Sequence, residues 1–279
     1  MPSVHEIVTE RIIAQLETGT VPWRRPWTGF PAMNWVSQKP YRGLNALLPP
    51  GEYATFNQVS AAGGTVNRGA KGNLVIYWKP PTRSKAADDD EDEERRPPVL
   101  RYYYVFEITA QCTGLKPKRE QFEHDPIAEA QALIDGYKDG PEIRHAPGRA
   151  CYSPMFDWVS IPEKGDFEVG EMYYSILYHE LTHSTGHEKR LAREGVTQLT
   201  GFGSEQYSKE ELVAELGAAM LCAVAGIDNS RTEPVNAAYI AGWLGALRDD
   251  KKLVVQAASQ AQRAVDYIRG IAPEGGSEE

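Results

Sequence analysis

Tyr178-His179-Glu180-Leu181-Thr182-His183 is an H-E-x-x-H segment, and the chemistry legible in this 279-residue chain centres on it. Four residues make a little over one helical turn, so His179 and His183 project from one helix face, close enough to grip a single divalent ion. Glu180 stands one position over, where a carboxylate can take a proton from a metal-bound water without being a ligand. The pattern has this meaning only on a helix. Gly170 opens a run in which Tyr174, Leu177, Tyr178 and Leu181 form an apolar stripe at helical spacing, and Gly186 supplies the expected stop. The plain alternative is two histidines that fall four apart on an amphipathic helix and do nothing. The acid at the right offset and the acids downstream weigh against it.

Two histidines do not hold a catalytic zinc; a third protein ligand is the rule. The metzincin pattern would place a histidine where Lys189 stands, which excludes that class. His187 is nearer, but the break at Gly186 turns it away. Glu211 and Glu215 fit better, because four residues apart on the next helix they share a face, so that one can ligate while the other holds a histidine ring. Zincins with a glutamate ligand, the gluzincins, look like this, and on that resemblance Glu211 is the ligand and Glu215 its outer partner. Ser208-x-x-Glu211 is also a capping box; if capping claims Glu211, Glu215 becomes the ligand. A divalent ion, Zn2+ or another such as Mn2+, brings the pKa of a bound water to about 7, Glu180 accepts the proton, and the hydroxide attacks a carbonyl. Tyr207 and His187 are both candidates to steady the oxyanion. Peptide hydrolysis is the reaction class.

The elements that position these residues divide the chain in two. Net charge is -9, yet residues 1–125 carry 16 Lys+Arg against 15 Asp+Glu, and residues 126–279 carry 14 against 24. Seven of the acids in the first part form one run, Asp88 to Glu94. Without residues 86–96 that part has 14 basic and 8 acidic residues, so its surface attracts anions. The run falls in a polar loop, residues 86–98, between Leu74–Trp78 and Arg101–Ile108, which read as paired strands. It is either a solvated loop or a phosphate mimic that competes for a basic groove.

Val21-Pro22-Trp23-Arg24-Arg25-Pro26-Trp27, then Trp35, Lys39, Tyr41, Arg42 and Asn45, interleave aromatic with basic side chains. Arg68 and Lys71 follow in a turn-rich loop. Stacking platforms beside phosphate contacts are what single-stranded nucleic acid needs. The competing reading is that the tryptophans are core residues and the arginines are solvated or paired with acids.

Ser3 to Thr18 reads as a capped helix, Thr55 to Gly64 as a short one, and Pro126 to Asp139 as another. Breaker-rich residues 112–125 mark the domain boundary. The organisation is therefore an N-terminal α/β domain (1–125) and a mainly helical C-terminal domain (126–272), an α+β chain ending in a disordered tail (273–279). Trp158 to Ile161 is a strand that could line the cleft and hold an extended substrate. Cys112, Cys151 and Cys222 are widely spaced, which argues for buried thiols in a reducing compartment, and no run is long enough to span a bilayer. A cytoplasmic protein follows, with no membrane partner.

Together, Tyr178 through His187 with Arg190-Leu191, then Tyr207 and Glu211-Leu212-Val213-Ala214-Glu215, resemble the zincin domain of plasmid antirestriction proteins of the ArdC family. Tyr41-Arg42-Gly43-Leu44-Asn45, preceded by Pro22-Trp23 and Pro26-Trp27, is similar to their N-terminal domain. The resemblance implies a bacterial, plasmid-encoded protein with an N-terminal domain that binds single-stranded DNA and a C-terminal metalloprotease-like domain similar to SprT. Such proteins shield DNA entering by conjugation from host restriction enzymes. The acid run is a departure from that pattern. Protection is then either steric, through DNA binding, or proteolytic, through cleavage of a restriction enzyme or another DNA-bound protein.

Overall fold

Helix α1 (Val4–Glu17) starts where the Ser3 and Glu6 pair dictates. The Ser3 hydroxyl accepts from the Glu6 amide at 3.2 Å, and the Glu6 carboxylate accepts from the Ser3 amide at 2.6 Å. The computed structural model describes residues 2–24, 31–79, 98–118, 125–197, 205–230 and 237–272. Arg25, Trp27, the acid run and the C-terminal tail lie outside the described residues.

In chain order there follow β1 (Ala32–Asn34), a 3-10 turn (Gly43–Leu47), β2 (Gly51–Thr55), α2 (Phe56–Ala61), β3 (Thr65–Val66), β4 (Asn73–Lys79), β5 (Val99–Glu107), α3 (Ile108–Gln111) and β6 (Cys112–Thr113). Helix α2 opens with a second capping box, Thr55 with Gln58. The main sheet has the order β1-β2-β5-β4. Strands β4 and β5 pair antiparallel from Asn73↔Val105 to Lys79↔Val99, flanking the acid-bearing loop as their composition suggested. β6 pairs with β3, the Trp35 indole donates to Lys116 O at 2.9 Å, and the Lys118 amide donates to Glu52 at 2.7 Å. These contacts tie residues 112–118 to the N-terminal sheet.

The C-terminal half comprises α4 (Pro126–Asp135), β7 (Glu142–His145), β8 (Cys151–Ser153), β9 (Trp158–Ile161), α5 (Gly170–Ser184), α6 (Glu194–Thr197), α7 (Glu205–Ala225), α8 (Ala237–Asp249) and α9 (Leu253–Ile268). Here the strand order is β7-β9-β8. That order corrects one expectation. Trp158 to Ile161 is the central strand, hydrogen-bonded on both sides, and cannot accept an added peptide; the edge beside α5 is β8. Cys151 lies exposed on that edge, whereas Cys112 and Cys222 are buried.

The largest apolar cluster crosses the two halves. Val8, Ile12, Ile13 and Leu16 of α1, together with Trp23, pack with Leu177 and Leu181 of α5, Leu212 and Leu216 of α7, Trp243 and Leu247 of α8, and Val254 and Val265 of α9. The result is an α+β, two-domain chain. No helix among the described residues is long and apolar enough to cross a membrane.

The pairing of α5 with α7 rests on a missing side chain. A Cβ on Gly217 would stand 2.5 Å from the Thr182 methyl and 2.7 Å from its hydroxyl oxygen. Thr182 cannot yield, because it is fully buried and its hydroxyl donates to Tyr178 O at 2.7 Å. Gly186 also proves to be a packing glycine: helix α5 ends at Ser184 with an ordinary helical Thr185, and a Cβ at 186 would meet Val196 at 2.5 Å. The helix thus stops where Gly186 was expected to end it, though Gly186 does so without a positive φ. Gly217→Ala should lower stability by about 1–3 kcal/mol through overpacking, measured by denaturant titration, and should weaken metal uptake because α7 must move away from α5.

Candidate metal centre

Three donor groups converge between these helices. The Nε2 atoms of His179 and His183 are 3.2 Å apart. One Glu211 oxygen lies 3.4 Å from His179 Nε2 and the other 3.5 Å from His183 Nε2. Ligand atoms held about 2.0–2.2 Å from one tetrahedral centre stand about 3.3 Å from each other, so the triangle has the size that a single divalent ion requires. Two imidazoles and a carboxylate also form a donor set suited to zinc or manganese. Among the described residues, His179, His183 and Glu211 form the group of potential ligands whose donor atoms all lie within 4.8 Å of one another. Helix α7 begins at Glu205, which puts Ser208 inside the helix, and the capping role that competed for Glu211 falls away.

Electrostatics bind the group tightly. Burial alone would lower both imidazole pKa values, but the Glu211 carboxylate raises His179, and Glu210 with Glu211 pushes His183 up to about 10. Burial would raise Glu211; the two imidazoles outweigh it and hold the acid well below the usual carboxylate range. The site therefore demands positive charge beside Glu211, whether as protons or as a metal ion.

Around the triangle each ring has an outer partner. Glu210 takes His183 Nδ1 at 3.2 Å and is itself clamped by Arg193, Nη2 at 2.6 Å and Nε at 3.0 Å. The Arg193 guanidinium also donates to Thr182 O and to the Thr185 hydroxyl, tying α6 to the end of α5. Glu215 stands 3.8 Å from His179 Nδ1. The sequence reading missed Glu210 and Arg193. Adjacent residues on a helix point about 100° apart, and nothing local reveals that His183 fits beside Glu210 while Glu211 faces both rings.

Glu180 is oriented by the edge strand, its Oε2 accepting from the Tyr152 amide at 2.7 Å. That strand is fixed in turn by Asp157, which accepts from the Tyr152 hydroxyl and from both terminal nitrogens of Arg190. His187 is buried outside the triangle, its Nδ1 accepting from the Lys189 amide, and Tyr207 is half-buried near the start of α7.

The stacking surface expected in the N-terminal segment needs correction. Trp23 is 0% exposed, its ring edge-on to Trp243 at 5.3 Å and its indole N–H donated to Glu215 at 3.3 Å, so no base can reach it. Trp35 is buried under Lys118, whose ammonium sits 4.0 Å from the ring centroid. Arg24 pairs with Glu215 and Arg42 with Asp266. Asn45 exchanges two hydrogen bonds with the Ile76 backbone, locking the 3-10 turn to β4. Tyr41 is half-buried against Tyr53. Lys39, Arg68 and Lys71 remain exposed. Exposed rings occur elsewhere, at Tyr77, Trp78, Tyr102 and Tyr104 on the β4 and β5 hairpin.

Comparison with known proteins agrees with this layout. Residues 2–106 match the N-terminal domain of anti-restriction factor ArdC, and residues 128–260 match a zincin-like metallopeptidase domain. An Escherichia coli protein described as DNA primase TraC is 35% identical over 95% of this chain, which spans only 20% of that protein. Protein y4eC of Sinorhizobium fredii (strain NBRC 101917 / NGR234), described as uncharacterized, is 34% identical over 95% of this chain and 91% of its own length. The Mn(II)-bound crystal structure of antirestriction protein ArdC from plasmid R388 superposes with a TM-score of 0.75 at 32% identity, covering 98% of this chain and all of that one. Its metal-free form gives 0.74 at 33% identity, covering 96% and 97%. With both halves matched and the full-length likeness to that protein, the chain belongs to the ArdC family of antirestriction proteins.

Proposed function

We propose that this chain protects DNA entering a bacterial cell by conjugation by binding it as a single strand, and that its C-terminal half carries a hydrolytic site for a divalent ion. The observation that supports the first part is the outer surface of the β4 and β5 hairpin. Tyr77, Trp78, Tyr102 and Tyr104 are between 41% and 53% exposed. Residues 65–79 and 98–106 contain Arg68, Lys71, Lys79 and Arg101, all exposed, and no acid. The register puts Trp78 opposite Leu100, so Trp78, Tyr102 and Tyr104 share one face, whereas Tyr77, Lys79 and Arg101 lie on the other. The Tyr102 and Tyr104 rings are 6.0 Å apart and nearly perpendicular, so each can take a base of an extended strand, while Lys71, two residues before β4 and next to the Gly72 that packs on Tyr104, is placed to meet phosphate. Such a surface reads no sequence, which suits a protector of incoming DNA.

For the second part, a divalent ion between His179, His183 and Glu211 would lower the pKa of water and polarise a carbonyl. Glu180 is the proton acceptor, its free oxygen available because the Tyr152 amide engages the other. Glu210 holds the His183 ring by a hydrogen bond, and the Glu215 carboxylate stands beside His179. The β8 edge offers backbone to an extended peptide. A second reading, proteolysis of a restriction enzyme or another DNA-bound protein, draws support from this half-buried Glu180, which a purely structural metal site would not need.

Replacing Tyr102 and Tyr104 together with alanine should weaken single-strand binding by about 1–3 kcal/mol per lost stack, seen as a rise in Kd by fluorescence anisotropy. Lys71→Ala should instead flatten the salt dependence by about 0.7 in log–log slope. Unchanged affinity in the double tyrosine variant would remove this surface from the reading. Glu211→Ala should abolish metal uptake, measured by mass spectrometry of the purified protein, whereas Glu180→Gln should retain metal and lose any peptide hydrolysis by about 10²–10⁴-fold. Restriction protection that survives Glu180→Gln decides for DNA binding; protection that vanishes decides for proteolysis.

A further inference from the structure

Resting on the metal-site reading above, we infer that Trp23 and Arg24 are positioning residues of the metal centre, so that the site is assembled from both family domains and the zincin-like region alone does not complete it. Both residues belong to the region matching the N-terminal ArdC domain, residues 2–106. Both donate to one carboxylate on α7, in the region matching the metallopeptidase, residues 128–260. The Trp23 indole N–H reaches Glu215 Oε2 at 3.3 Å, and Arg24 Nη2 reaches Oε1 at 3.3 Å. Oε1 is the oxygen that faces His179 Nδ1 at 3.8 Å, an ion-pair distance too long for a direct hydrogen bond, so it acts on the ring through its charge.

The geometry follows a general rule for histidine ligands. An imidazole that binds metal through one nitrogen is oriented by what its other N–H meets, and a carboxylate there fixes tautomer and ring plane. Glu215 can do this only if its own carboxylate is held, since a free glutamate side chain would lose rotamer entropy on taking up the pose. Two donors from outside the zincin region supply that restraint. They are themselves anchored. The Trp23 ring is fully buried against Trp243, and its carbonyl accepts from Asn229 at 3.1 Å. The Arg24 and Glu215 side chains are only 20% and 16% exposed, so water competes weakly for the pair.

His183 has a closer device built wholly within the C-terminal half, Glu210 hydrogen-bonded to its ring at 3.2 Å and held by Arg193. The two ligand rings thus differ in origin of support: one from inside the zincin region, one from the N-terminal segment. Whatever displaces residues 22–24 loosens His179 and leaves His183 fixed.

The test uses the full-length chain. Trp23→Phe with Arg24→Met removes both donors while keeping a ring in the core. Zn2+ and Mn2+ affinities are measured by chelator competition, and the Co2+-substituted protein is examined by visible absorption. The expected result is a tenfold to hundredfold loss of affinity and an altered Co2+ spectrum, with partial recovery in Trp23→Phe with Arg24→Lys. Arg42→Gln, which breaks another contact between the halves at Asp266, should leave affinity and spectrum unchanged. Equal affinity and spectrum in the double variant and the parent overturn the inference, as does an equal loss in Arg42→Gln, which would mark general loosening. If Glu211→Ala also keeps its metal, the metal-site reading itself fails, an outcome distinct from the other two.

Discussion

Between α5 and α7 the chain buries more ionisable groups than a core tolerates without strict pairing. Taking a carboxylate or an imidazolium out of water costs several kcal/mol per ion, recovered only when each charge meets its complement in good geometry. Glu210 is matched by Arg193, and Glu215 by Arg24. Glu211 faces two imidazoles and has no cationic side chain of its own among the described residues. Its complement must come from outside the covalent chain, as protons on the rings or as a divalent ion. The site is in this sense an unfinished salt bridge, and the surrounding packing holds it open.

That packing depends on helix separation. Glu211 reaches the rings because Gly217, six residues along α7, lets the helices approach until Thr182 touches bare backbone. At the other end of the contact, Gly186 gives Arg193 and Val196 room to lie against the last turn of α5. Neither glycine adopts a backbone conformation forbidden to other residues. Their common task is to admit neighbours, and a helix pair carrying side chains there would stand too far apart for one carboxylate to reach two imidazoles.

How much of this the sequence disclosed follows from how local each signal is. The capping box at Ser3, the short helix from Thr55, the paired strands around residues 80–98, and the histidines four apart on a helix depend on contacts within a few residues, and the fold carries each of them. The N-terminal tryptophans were ambiguous for a physical reason. An indole flanked by arginine and proline has the same composition whether it stacks on a base or on Trp243, and only the partner, more than two hundred residues away, decides. The exposed rings of β4 and β5 escaped for the complementary reason: alternation tells which side chains share a face, but not which face another element covers. Ile76 and Leu100 join the apolar cluster that contains the α1 residues, whereas Tyr102 and Tyr104 on the same face stay exposed.

The motif Tyr41 to Asn45 shows the same distinction in miniature and reframes what joins the halves. Arg42 pairs with Asp266, the Gly43 amide donates to Gln262, which also donates to Asp266, and Asn45 grips the Ile76 backbone. One short segment therefore fastens the edge strand of the candidate DNA surface to α9 of the zincin half. Thr9 to Lys251 and Trp23 to Glu215 and Asn229 extend the seam. Partly buried polar contacts of this kind add little net stability compared with apolar packing, but they are intolerant of misalignment, because a shifted register leaves several donors and acceptors unpaired at once. An apolar interface alone could slide by a helical turn at modest cost. The polar seam makes one relative placement of sheet and metal helices far better than its neighbours, which is what an outer partner of His179 contributed by the opposite half requires.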